Sequence, residues 1–101
     1  MISYIFGNST IPTTKTAIEN TMATMELPKI VQVLWINDDL TLTFSKAGVS
    51  HISFHLSQEI SDVIVTETKR EISMFHRPFI TMVETLIDNT LTKAGGVPLK
   101  R

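Results

Sequence analysis

The most constraining feature of this sequence is a strict two-residue alternation broken by one short loop. Leu40-Thr41-Leu42-Thr43-Phe44-Ser45 puts Leu40, Leu42 and Phe44 on one side and Thr41, Thr43 and Ser45 on the other, the period of a half-buried strand. Lys46-Ala47-Gly48 follows and fits a three-residue hairpin loop, with Gly48 in the left-handed position that a glycine bulge requires. Closing the loop pairs Ser45 with Val49, sets Leu42 opposite Ile52 and Leu40 opposite Phe54, and turns both apolar rows the same way. A slip of one residue destroys this match. The other side of the hairpin then carries Thr41, Thr43, His51, Ser53 and His55.

The flanking segments extend the hairpin into a larger unit. Residues 30–36 are apolar at both parities, as in a strand covered on two sides, and Asn37-Asp38-Asp39 supplies a tight turn. Strands near 30–36, 40–45 and 49–56 therefore make an antiparallel meander. Ile2 to Phe6 reads as a further short strand, ended by the turn chemistry of Asn8 to Pro12. A helix is predicted near 14–25, where Ala17, Ile18, Met22 and Met25 share a face, Thr16 with Glu19 fits a capping box, and Leu27-Pro28 stops the element.

Residues 57–76 carry the weakest pattern. A helix there gathers Ile60, Val63, Ile64 and Phe75, but it adds Glu67 and Glu71 to the same face and must accommodate Val63-Ile64-Val65. The preferred reading is a turn followed by strands near 62–68 and 71–75, joined around Lys69-Arg70. A C-terminal helix near 78–94 has Pro78 in its first turn, an apolar stripe from Phe79, Ile80, Val83, Leu86, Ile87 and Leu91, and Gly95-Gly96 as its stop. With 101 residues, 43% of them hydrophobic, the chain can bury one core and is too short for two. The expectation is an α+β fold with a single domain over 1–96 and a flexible C-terminal tail over 97–101. The order of elements is similar to that of secretion-effector chaperones and of roadblock-like or profilin-like modules, at the level of topology alone. No residue role follows from that similarity.

Chemistry is narrowed mainly by what the sequence lacks. The formal net charge is −1 and charged residues make up 19%, which argues against a disordered chain and against a strong field for nucleic acid or anionic lipid. Without cysteine there is no disulfide framework, thiol nucleophile or thiolate zinc site, and a reducing cytoplasm is the expected location. The opening Met1 to Phe6 has no basic flank of the kind a signal peptide carries, and no apolar run is long enough to span a bilayer. His51 and His55 show a spacing that would bring two imidazoles together on a helix. On a strand they lie roughly 13 Å apart, too far to share an ion. No serine sits in a nucleophile elbow, Asp38-Asp39 reads as turn chemistry, and Ala94-Gly95-Gly96-Val97 lacks the lysine of a phosphate loop. No catalytic, metal or cofactor site is expected.

The leading functional expectation is a small non-enzymatic protein that works by protein–protein contact, as an adaptor, inhibitor or chaperone-like molecule, and acts as a homodimer. Its basis is the strand with Val31, Val33 and Trp35, which needs more cover than two short helices supply. One alternative is a nucleic-acid-binding regulator using Lys69, Arg70 and Arg77 in the basic and aromatic 69–79 segment. Another is a small enzyme or ligand-binding domain using Thr41, Thr43, His51, Ser53 and His55. Phe75 and Phe79 are expected to anchor the last helix on the sheet.

Overall fold

The computed structural model describes residues 2–25 and 30–99. In chain order these form β1 (Ser3–Phe6), α1 (Ile11–Thr24), β2 (Val31–Ile36), β3 (Asp39–Ser45), β4 (Val49–Glu59), β5 (Asp62–Glu71), a short 3-10 turn (Met74–Phe79), α2 (Ile80–Lys93) and β6 (Val97–Pro98). The strands make one antiparallel sheet in the order β2-β3-β4-β5-β1-β6, and with the two helices the fold is α+β. Both helices contribute to one face. There Ile18 and Met22 of α1 and Ile87 and Leu91 of α2 join a buried cluster with Leu40, Leu42 and Phe44 of β3, Ile52, Phe54 and Leu56 of β4, Val63 and Val65 of β5, and Tyr4 and Phe6 of β1.

The central hairpin has the register its alternation predicts: Ser45 faces Val49, Leu42 faces Ile52 and Leu40 faces Phe54. The loop differs in one respect. Ala47, not Gly48, takes the left-handed conformation, with φ 59°. Gly48 is required for space, because a Cβ there would run into Ser73 Oγ and come within 3.3 Å of the Phe75 ring.

Several boundaries move, each for a local reason. α1 starts at Ile11 because Thr10 caps it, its hydroxyl accepting from the Thr13 N–H at 3.3 Å. Pro12 is therefore a first-turn residue, where no N–H partner is needed, and the Thr16 hydroxyl donates to the Pro12 carbonyl from inside the helix. The stop assigned to Leu27-Pro28 lies outside the described residues. The region read as a turn followed by two short strands is instead the second half of a long hairpin. β4 runs to Glu59, Ile60-Ser61 makes the turn, and β5 continues through Lys69-Arg70 to Glu71. Of the strand expected over 71–75 only Glu71 is in the sheet, as the last residue of β5; beyond it the chain leaves the sheet and enters the 3-10 turn. The Gln58 side-chain amide holds the hairpin tip by donating to the carbonyls of Ser9, Ile60 and Asp62.

β5 also contains a bulge. Phe54 faces Glu67 while Ser53 faces Lys69, so Thr68 is the extra residue and its hydroxyl donates to the Ser53 carbonyl. Glu67 and Arg70, three apart, would point to opposite sides of a regular strand; the bulge puts both on the helix-covered face. At the C-terminus of α2, the Gly96 N–H donates to the Leu91 carbonyl and the Gly95 N–H to that of Thr92, a Schellman closure that needs the φ of +114° at Gly95. Val97 and Pro98, within the segment expected to be a flexible tail, pair with Ile5 and Tyr4, and the Leu99 N–H donates to the Ser3 carbonyl. Residues 100 and 101 lie outside the described residues.

Candidate interaction site

Among the described residues β2 stands at one end of the sheet and pairs with β3 alone. Its hydrogen-bond phase follows from a single contact, the Ser45 N–H donating to the Ile30 carbonyl at 3.0 Å. In an antiparallel ladder, alternate residues then exchange bonds with the neighbour, so positions 30, 32, 34 and 36 are committed to β3. Val31, Val33 and Trp35 turn their N–H and C=O groups outward. These are the three residues that the apolar pattern singled out, and the fold makes them the donors and acceptors of a free edge.

Their side chains tell a second story. All three face the helix-covered side, opposite Phe44, Leu42 and Leu40, and Val31 and Trp35 pack against the core. The Lys15 ammonium of α1 lies 5.4 Å from the centre of the Trp35 ring, 3.4 Å from the Asp38 carboxylate, and donates to the Asn37 carbonyl. α1 thereby clamps the β2–β3 turn. Val33 stays 38% exposed on that side, and the larger exposure has the opposite parity: Leu34 and Ile36 are 54% and 58% exposed beside Thr41 and Asp39. A three-residue turn over 37–39 would set Leu34 opposite Leu42; the structure instead turns at Asn37-Asp38 and pairs Ile36 with Asp39, which puts Leu34 and Ile36 on the threonine side. The edge has no proline, charge or bulge from Val31 to Ile36, the devices with which natural sheets blunt such strands.

The Thr/His face is brought together as the register requires, and its groups satisfy one another. Thr41 bonds Ser53 at 3.1 Å, Thr43 bonds His51 Nδ1 at 3.0 Å, and His55 Nδ1 bonds Asp39 at 2.6 Å. None of the five lines either of two shallow surface hollows. One of these lies on α1 around Pro12, Thr16 and Asn20, the other between Ile2, Glu67, Arg70 and Glu84. Among the described residues no three His, Asp or Glu side chains converge as ligands for a metal ion.

The basic residues are dispersed. Lys69 shares the open face with Glu71, whose carboxyl it holds below the usual range by a 2.8 Å hydrogen bond and its charge. Arg70 lies on the helix side, 2.7 Å from Glu67 and 3.3 Å from Glu84. Glu67 is only 2% exposed, and the guanidinium compensates the buried charge. Arg77 is elsewhere, in the 3-10 turn.

That turn forms a second apolar surface. The Ser73 N–H donates to Ser50 Oγ at 2.9 Å, and the His76 ring links Ser50 to the Lys46 carbonyl, with Nε2 at 2.6 Å from the latter. Since these polar contacts dock the segment, Phe75 and Phe79 are not the anchors expected of them. Both are more than half exposed, as are Met74, Met82 and Val49. Exposed methionine and phenylalanine suit an adaptable contact surface.

A scan against protein-family models finds no match for this chain, and searches of curated proteins and of solved structures find none either.

Proposed function

We propose that this protein is a small non-enzymatic interaction protein that acts as a homodimer, joined by strand addition at the β2 edge. The observation that carries the reading is the outward-facing, uncharged backbone of Val31, Val33 and Trp35, flanked by exposed Leu34 and Ile36. An edge of this kind is a template for another strand, and pairing satisfies its backbone groups while removing apolar side chains from water. The Met74, Phe75, Phe79 and Met82 surface is the part we assign to a further protein partner, in the manner of an adaptor or inhibitor. A cysteine-free chain suits the reducing cytoplasm as its place of action, and no described helix is long and apolar enough to cross a membrane. Nucleic-acid binding draws little support, because Lys69 and Arg70 are neutralised locally by Glu71, Glu67 and Glu84.

Sedimentation equilibrium from low to high micromolar concentration tests the reading. A mass rising from one chain toward two supports it. A single-chain mass throughout rejects it.

A further inference from the structure

We infer that the β2 edge takes a second copy of this chain in one register, antiparallel and centred on Val33, so that Val33 faces Val33 of the other copy and Val31 faces its Trp35. The inference rests on the homodimer proposed above and specifies its seam. Only residues with outward N–H and C=O groups bond across a new antiparallel seam, which restricts the pairing to odd positions opposite odd positions. Centring on Gln32 pairs Val31 with Val33 and leaves Trp35 without a partner inside the strand. Centring on Leu34 pairs Val33 with Trp35 and leaves Val31 in the same position. Centring on Val33 engages all three residues of each copy.

The side chains agree with that register. A two-fold axis perpendicular to the sheet keeps like faces together, so on the open side Ile30 meets Ile36 of the other copy and Gln32 meets Leu34. The two most exposed apolar residues of the strand each gain a neighbour across the seam, and Ile30, itself 38% exposed, is covered with them. Charge complementarity points to the same occupant. Val31–Ile36 contains no charged residue, so symmetry brings no like charges face to face, whereas a strongly charged partner strand would find no counter-charge. The seam is small. It offers seven residues a side, where standard interfaces use roughly 20–30, so association is expected in the micromolar range.

Because the chain has no cysteine of its own, single substitutions report the register directly. Val33→Cys, Gln32→Cys and Leu34→Cys are oxidised mildly at high micromolar concentration, each alone and with the last two mixed. In the inferred register the two positions 33 lie about 5.5 Å apart between Cα atoms, and position 32 lies about 4.5 Å from position 34 of the other copy. Both separations fall in or at the edge of disulfide range, while 32 to 32 and 34 to 34 exceed about 7 Å. Covalent dimer is expected from Val33→Cys alone and from the mixture, at least about tenfold above Gln32→Cys or Leu34→Cys alone, with the circular dichroism of each variant unchanged. Self-linking of Gln32→Cys or Leu34→Cys, or no linking in a chain that still sediments as a dimer, overturns the register and leaves the homodimer standing. An unsubstituted chain that sediments only as a monomer overturns both.

Discussion

At the β6 end, the sheet finishes in a two-residue strand that contains Pro98 and is braced by Phe6 and the C-terminal turn of α2; at the β2 end, six uncharged residues leave three outward backbone pairs free. The β6 end also carries the buried ion pair and phenol contact, although Arg70 Nε itself finds no partner among the described residues. Arg70 joins Glu67 to Glu84 of α2, and the Tyr4 hydroxyl donates to Asp88 at 2.7 Å. The β2 end has a single clamp from the helical layer, Lys15 over Trp35. The contrast separates what holds the monomer together from what remains available for contact. Changes at the first end should alter folding, and changes at the second should alter association.

The largest expected effect comes from breaking the closed end. Arg70→Met strands the buried Glu67 carboxylate and is expected to cost about 3–5 kcal/mol in urea unfolding, with most of that recovered when Glu67→Leu is added. A cost under about 1 kcal/mol would mean that this end is not held by the ion pair. Next, Gly96→Ala puts a Cβ 2.9 Å from both the Leu91 carbonyl and the Phe6 ring. It is expected to cost about 1–3 kcal/mol, with no change in sedimentation. A shift in dimerisation would show that the two ends are coupled.

At the open end, Val33→Pro removes only an N–H that the monomer does not use. Pairing should weaken by at least about tenfold, or ~1.4 kcal/mol, with little loss of monomer stability. If the variant dimerises like the unsubstituted chain, the edge is not the contact.

The smallest effect at neutral pH concerns Tyr4, the only tyrosine. Burial, then the hydrogen bond to Asp88 and its charge, push the phenol well above its usual range. Its folded pKa exceeds the unfolded value of about 10, so its contribution is complete below that pH and is lost as the pH rises toward the folded value. Phenolate absorbance should therefore appear later than in a free tyrosine, and earlier in Asp88→Asn than in the unsubstituted chain. A normal titration curve would show the closed end to be wet.

Much of the fold was legible, and the failures have identifiable causes. Residues 40–56 were readable because alternation and loop length act over neighbouring residues. The β4–β5 hairpin was missed because its turn begins with Ile60 at φ 58°, a β-branched residue where glycine or asparagine usually signals the reversal. Lys69-Arg70 reads as a turn in the sequence because a bulge leaves no mark in an alternating pattern. β6 escaped notice because a two-residue strand has no period of its own. In the candidate site, Val31, Val33 and Trp35 were visible as apolar excess, but Leu34 and Ile36 were not, since a strand apolar at both parities does not say which row the helices will cover.

Local pattern was sufficient for the meander, its register and the general places of two helices, since side-chain periodicity and turn chemistry need only adjacent residues. Long-range packing decided that β2 lies at an edge, that Glu67 and Arg70 share a covered face, and that Phe75 and Phe79 face water. Each of those outcomes depends on which distant strand or helix arrives beside a given residue, and that choice is made by the core as a whole.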